Sequence, residues 1–111
     1  MDFIAHENEW PWGKTITLVS VKGVAYVTMS FDKYEPGVCY ISGLSVIPEY
    51  RRQGYASTMM SICEQMCEEM GIFRIDLAAV MTDYVLDFYH KIGFVDIEER
   101  ENLMRMYKTI K

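Results

Sequence analysis

Val46-Ile47-Pro48-Glu49-Tyr50-Arg51-Arg52-Gln53-Gly54-Tyr55-Ala56-Ser57 is the stretch that decides the fold of this chain. It stops a strand at Pro48, turns through Arg51-x-x-Gly54-x-Ala56 and opens an amphipathic helix. Gly54 has no side chain and Ala56 a minimal one, so an anion can approach the main chain between them. The amides of Gln53, Gly54, Tyr55, Ala56 and Ser57 are then first-turn donors without helical partners, at the positive end of a helix dipole. A pyrophosphate needs that arrangement, and Arg51 and Arg52 add positive charge at the same place. Taken alone, such a turn also suits a tight helix entry with no ligand. What lies on either side of it separates the two readings.

Downstream, the apolar positions Ala56, Met59, Met60, Cys63, Met66, Cys67 and Met70 step by three and four, which describes a helix with one apolar stripe. Ser57, Ser61, Glu64, Gln65, Glu68 and Glu69 take its wet side, and Gly71 is a natural stop. The Met and Cys stripe reads as core packing, because Met fills irregular gaps and a free Cys behaves as a small hydrophobe. Ile72 to Val80 is apolar enough for a central strand. Thr82 caps a short helix carrying Val85, Phe88, Tyr89 and Ile92 on one side, closed by Gly93. Two strands follow, Phe94 to Ile97 and Asn102 to Tyr107, joined by the acidic turn Glu98-Glu99-Arg100-Glu101.

Upstream, Thr15 to Val21 alternates with the period of a strand, Lys22-Gly23 turns, and Val24 to Phe31 returns as its hairpin partner. Tyr34-Glu35-Pro36-Gly37 is a second turn before a third, long strand from Val38 to Ile47. The opening through Trp10-Pro11-Trp12-Gly13 holds breakers and no sustained period, which predicts a strap or short turn. The expected order is β-β-β-α-β-α-β-β in one α/β domain covering residues 1–111. A strand–helix–strand crossover within a meander implies a mixed, mostly antiparallel sheet flanked by helices.

Composition narrows the classes. Half of the 111 residues are hydrophobic, enough for one domain with one core. No apolar run approaches the roughly 20 residues of a membrane span. The opening Met1-Asp2-Phe3-Ile4-Ala5-His6-Glu7 is acidic and unlike a signal peptide, so a cytoplasmic protein with no membrane partner is expected. A net charge of −5 argues against a nucleic-acid partner and suits a cationic substrate. Cys39, Cys63 and Cys67 are odd in number, which favours free thiols over a disulfide framework. With no further Cys or His partners at ligand spacing, no metal is expected.

A second marker, Phe88-Tyr89-His90-Lys91-Ile92-Gly93-Phe94, follows the first by one strand and one helix. With it the chain resembles the GNAT superfamily of N-acetyltransferases, over roughly Thr15 to Tyr107. Arg51-Arg52-Gln53-Gly54-Tyr55-Ala56 fits that family's acyl-CoA pattern of Gln or Arg, any two, Gly, any one, Gly or Ala. The resemblance implies an acyl-CoA N-acyltransferase-like fold, acetyl-CoA as the acyl donor and no metal. It implies a primary amine as acceptor, attacking directly in a ternary complex. The pyrophosphate would rest on the amides from Gln53 to Ser57, and the pantetheine arm would add like a strand beside Leu44-Ser45-Val46. The thioester carbonyl would lie near the Val46 N–H, which polarises it. Tyr89 would give a proton to the departing thiolate; a phenol near 10 is within reach of a thiol near 8.5.

The chain departs from the family's pattern in three places. Where the downstream helix often carries an Asn that meets the cofactor, this chain has Thr82. The third strand carries no Asp or Glu to accept the amine's proton. Asp76 is then the first candidate base, with Asp83 and Glu35 behind it, and His90 expected to point away from Tyr89. The usual first strand and the two helices after it have no room before Thr15, so the expectation is a truncated domain with an open acceptor side. An open side suits a bulky acceptor, a protein lysine or N-terminus. A small-molecule amine acetyltransferase and a non-catalytic acyl-CoA-binding or interaction module are the alternatives, and pairing through the edge strands Thr15 to Val21 or Asn102 to Tyr107 leaves a homodimer open.

Overall fold

Ile16, Leu18 and Ser20 are buried while Thr15, Thr17 and Val19 between them are half-buried, the signature of a strand with one covered face. The computed structural model describes residues 1–110, which form one seven-stranded sheet whose β3 (Ala25–Asp32) and β5 (Arg74–Val80) repeat this alternation. Its elements are β1 (Phe3–Trp10), β2 (Gly13–Ser20), β3 (Ala25–Asp32), β4 (Val38–Val46), α1 (Tyr55–Glu69), β5 (Arg74–Val80), α2 (Asp83–Lys91), β6 (Val95–Arg100) and β7 (Leu103–Thr109). The spatial order is β1-β2-β3-β4-β5-β7-β6, antiparallel throughout except for the parallel pair β4 and β5 that the α1 crossover joins. The sheet is therefore mixed and mostly antiparallel, and from β2 onward the expected order of elements holds.

The opening segment differs from expectation. Phe3–Trp10 is a strand, paired with β2 in unbroken register from Phe3↔Ser20 to Trp10↔Gly13. Pro11 and Trp12 form the tight turn between the two strands, so Pro and Gly punctuate a hairpin here and do not end regular structure. The first strand that seemed to have no room is present, while no helix separates it from β2 among the described residues. Exposure on both faces explains why periodicity missed β1: every residue from Ile4 to Trp10 is exposed, leaving no apolar alternation to read. It also moves the sheet's edges to β1 and β6. Thr15 to Val21 and Asn102 to Tyr107, read as edges, belong to interior strands because β1 covers β2 and β7 inserts between β5 and β6.

Register places the core on one face. Met29 pairs with Ile41, Cys39 with Ile75 and Leu77 with Met106, and all six are buried. Met59, Met60, Cys63 and Cys67 of α1 pack onto that face, joined by Tyr89 of α2 and by Phe94. The three thiols are free and buried. On the opposite face Tyr40, Asp76 and Tyr107 align across β4, β5 and β7, and Tyr40 remains 45% exposed. No helix is long and apolar enough to cross a membrane among the described residues.

Candidate functional site

Two neighbouring strands part company at the centre of the sheet. β4 pairs with β5 only from Val38↔Arg74 to Ile41↔Leu77, although both strands continue. Against β3, Tyr26 pairs with Ser45 and Thr28 with Ser42, so Gly43 and Leu44 together oppose Val27. That extra residue is a β-bulge, with Gly43 at φ 64°, and it bends the end of β4 away from β5. From Ser42 to Val46 the edge of β4 that faces β5 is left without a strand partner. Leu44, Ser45 and Val46 line the resulting opening.

The turn after β4 builds the second wall. Pro48 starts a single 3-10 turn through Tyr50, closed by the Arg51 N–H donating to the Pro48 carbonyl at 3.2 Å. Arg52 at φ 62° and Gly54 at φ 89° both occupy the left-handed region, which lets the chain reverse into α1. Gly54 is the N-cap and supplies no side-chain acceptor, and no acidic residue lies in the first turn. The first helical bond runs from the Thr58 N–H to the Gly54 carbonyl at 3.0 Å, so the amides of Tyr55, Ala56 and Ser57 have no acceptor within the helix. An uncompensated helix N-terminus beside Arg51 and Arg52 is electrostatically prepared for an anion. Tyr55 itself is buried, its ring edge-on to Phe3 at 6.3 Å and to Tyr50 at 6.1 Å.

α2 supplies the third wall through Tyr84, Val85, Phe88 and Tyr89. Tyr89 is 8% exposed, its ring set edge-on against Phe88 at 5.1 Å and Phe94 at 5.7 Å. Burial pushes its phenol up to about 12, so it is protonated at any physiological pH. Its hydroxyl has no hydrogen-bond partner among the described residues and is not a buried orphan, which leaves it open to the cleft that Tyr89 lines.

These walls enclose about 860 Å³, within the roughly 300–1,000 Å³ usual for a small-molecule or cofactor site. Of the residues nominated from sequence, Leu44, Ser45, Val46, Arg51, Arg52, Gly54, Tyr55, Ala56, Ser57 and Tyr89 come together around it. Gln53 and Thr82 do not line it: the Gln53 side chain donates back to the Glu49 carbonyl at 3.3 Å, and Thr82 stands exposed at the N-cap position of α2, where its side chain makes no capping hydrogen bond. Tyr50, Tyr84 and Phe88 were not nominated; Tyr84 and Phe88 lie four apart on one face of α2, a spacing legible in the sequence once the helix is placed.

None of the four candidate bases lines the cavity. Asp76 pairs with Arg74 at 2.5 Å, and the Arg74 guanidinium lies 4.6 Å from the Tyr107 ring centre, on the face of the sheet away from the helices. Asp83 is exposed at the start of α2, and Glu35 sits in the turn before β4, at the far end of that strand from Val46. His90 Nε2 lies 2.7 Å from Asp96 Oδ1, directed at β6 and away from Tyr89's side of the helix.

Comparison with known proteins agrees with this geometry. The model of the acetyltransferase (GNAT) family matches residues 5–94. Among curated proteins, GCN5-related N-acetyltransferase 10, chloroplastic, of Arabidopsis thaliana is 32% identical over 93 residues, covering 77% of this chain and 36% of that protein. N-alpha-acetyltransferase 50 of Danio rerio is 35% identical over 74 residues, covering 65% of this chain and 42% of that protein. The chain thus spans well under half the length of these two relatives. Among solved structures, the PaiA N-acetyltransferase of Thermoplasma acidophilum in complex with coenzyme A superposes with a TM-score of 0.75 at 16% identity, over 86% of this chain and 60% of that one. That likeness is one of fold.

Proposed function

The chain belongs to the GNAT family of acetyltransferases, and from that premise we propose that it moves an acetyl group from acetyl-coenzyme A to a primary amine, within one shortened domain. The observation that carries the proposal is the meeting of three features at one cleft: the unpaired edge of β4, the open N-terminus of α1 and the Tyr89 phenol. Acetyl-coenzyme A supplies the activated acyl group. The amides of Tyr55, Ala56 and Ser57, with Arg51 and Arg52, would hold its pyrophosphate. The free edge of Leu44, Ser45 and Val46 would pair with the pantetheine amides, and the Val46 N–H would polarise the thioester carbonyl.

In the reaction the amine nitrogen forms a bond to the carbonyl carbon and the carbon–sulfur bond breaks. Tyr89 gives its proton to the departing sulfur. A lysine-like amine is neutral only about once in 2,500 at pH 7, a cost of roughly 4.6 kcal/mol. Asp76, already paired with Arg74, is poorly placed to lower it, and with no carboxylate lining the cleft the amine's proton leaves to solvent.

The acceptor side is open. Among the described residues the face of the sheet carrying Tyr26, Tyr40 and Asp76 bears no helix, and β1 turns directly into β2. This supports a bulky acceptor, a lysine or N-terminus of a protein, over a compact amine that needs enclosure. For a homodimer the available surface is the outer edge of β1, eight residues in unbroken register; β6 is guarded by a register shift between Asp96 and Glu98 and by its charges. Three free, buried thiols support a reducing compartment such as the cytoplasm.

Isothermal titration with acetyl-coenzyme A tests the donor site, and micromolar binding is expected. CoA release is then followed with a lysine peptide, an N-terminal methionine peptide and spermidine. Spermidine outpacing both peptides would replace the protein acceptor with a small-molecule one. Binding without release for any of the three would leave an acyl-CoA-binding module.

A further inference from the structure

Between α1 and the end of α2 lies a second opening of about 420 Å³, with Ser57, Ser61 and Gln65 on one side and Ile92 on the other. The two helices are not joined there by apolar packing alone. Lys108 of β7, on the helix-covered face two residues beyond Met106, reaches across. Its Nζ donates to the Ile92 carbonyl at 2.6 Å and pairs with both Glu64 carboxylate oxygens, at 2.9 and 3.0 Å. The two side chains are only 24% and 26% exposed, so water screens this pair less than a surface one.

Ile92 is the C-cap of α2, three residues past Tyr89, and its carbonyl is among the acceptors that a helix end leaves without partners. A cation there also meets the negative end of the helix dipole. Gly93, the glycine of the second marker, fits this arrangement twice. Its φ of 103° suits only glycine, and a Cβ built on it would come within 3.0 Å of Lys108 Cε and 3.3 Å of Nζ. The marker's glycine therefore leaves the space through which Lys108 passes. Immediately afterwards the Phe94 N–H donates to the Tyr89 carbonyl at 3.0 Å, and the Phe94 ring buttresses the Tyr89 ring. The clamp, the glycine and the phenol form one continuous chain of contacts.

We propose that Lys108 is a positioning residue for acetyl transfer: by tying the last turn of α2 to Glu64 of α1 through the Ile92 carbonyl, it fixes Tyr89 at the cleft. This rests on Tyr89 as proton donor, as proposed above. Lys108 touches neither reactant and acts through the orientation of α2.

The test is Lys108→Met in the full chain, alone and combined with Tyr89→Phe. It is read by CoA release from acetyl-CoA with the best acceptor of the three named above and without acceptor, by acetyl-CoA titration, and by hydrogen exchange at the Phe94 amide. Lys108→Met should lower kcat about tenfold, change the acetyl-CoA Kd less than about twofold and speed exchange at Phe94. In the Tyr89→Phe background it should lower kcat no further, because the group it positions is gone. An unchanged kcat, or the same fall in both backgrounds, overturns the proposal, since a merely structural lysine acts independently of Tyr89. If Tyr89→Phe alone keeps full kcat, the donor reading falls; the Phe94 amide still judges the clamp, and unchanged exchange there overturns it. Should Lys108→Met fail to fold, Glu64→Gln removes the charge partner and keeps the Ile92 bond; it should lower kcat by about threefold, and an unchanged kcat overturns the proposal as well.

Discussion

The Arg51 Nε–H donates to the main-chain carbonyl of Val46 at 2.9 Å, so the first residue of the glycine turn holds the last residue of β4. One side chain thereby links the edge proposed for the pantetheine arm to the turn proposed for the pyrophosphate. Lysine in its place keeps the charge, but its donors all sit on one nitrogen, without the rigid fork that lets the guanidinium hold the carbonyl through Nε and present its other nitrogens to an anion. Arg51→Lys should weaken acetyl-CoA binding by roughly fivefold, about 1 kcal/mol, in a calorimetric titration. A Kd equal to wild type would mean that charge alone matters at this position.

Tyr89→Phe removes the hydroxyl proposed to protonate the departing sulfur. Its kcat should fall about a hundredfold with acetyl-CoA affinity retained within about twofold. Because burial holds the phenol at about 12, the wild-type kcat should show no alkaline decline from Tyr89 below about pH 11. Steady-state rates from pH 6 to 10 with both proteins check this, and a wild-type decline centred below pH 10 that Tyr89→Phe lacks would contradict it.

The same shift has a consequence for stability. Tyr89 is neutral when protonated, and its folded value of about 12 lies above the unfolded value near 10. Its contribution is thus fully present below pH 10 and lost as pH rises through 12, by at most about 2–3 kcal/mol. Urea midpoints should fall more steeply between pH 10 and 12 for wild type than for Tyr89→Phe. Parallel curves would show that the phenol is not desolvated.

Gly54 stands at φ 89°, yet a Cβ there would meet nothing within 4 Å. The cost of Gly54→Ala is therefore conformational, about 1 kcal/mol in a urea titration, with no packing penalty. Gly54→Glu places a carboxylate at the open helix N-terminus and should lower acetyl-CoA affinity more than about tenfold by calorimetry. Wild-type affinity in the glutamate variant would move the anion site elsewhere.

The methionine stripe of α1 is unevenly buried. Met59 is 0% exposed in the centre of the core, whereas Met70, at the end of the same stripe, is 39% exposed. Met59→Ala should cost about 2–5 kcal/mol and Met70→Ala less than about 0.5 kcal/mol, measured by denaturant unfolding. Equal costs would mean that α1 is packed differently along its length.

Much of this architecture was legible residue by residue. The step from Pro48 to a helix, the stripe from Met59 to Cys67 and the hairpin at Lys22-Gly23 follow from φ restriction and from the two periods of 3.6 and 2, which are local properties. The glycine turn was readable for the same reason, since a missing Cβ and unpaired amides belong to a few adjacent residues. β1 was not readable, because an edge strand exposed on both faces has no apolar alternation, and only its pairing with β2 defines it.

The sequence alone determined the elements from β2 to β7, the turn from Arg51 to Ala56 and Tyr89 as the side chain to watch, because these are encoded within a single turn or strand. The tertiary structure alone decided that β4 and β5 separate after Ile41 and Leu77, that Asp76 is paired with Arg74, and that Lys108 joins the end of α2 to Glu64 of α1, 44 positions before it. Each of those depends on register and packing between distant segments, and no local pattern of residues specifies which distant partner a side chain will meet.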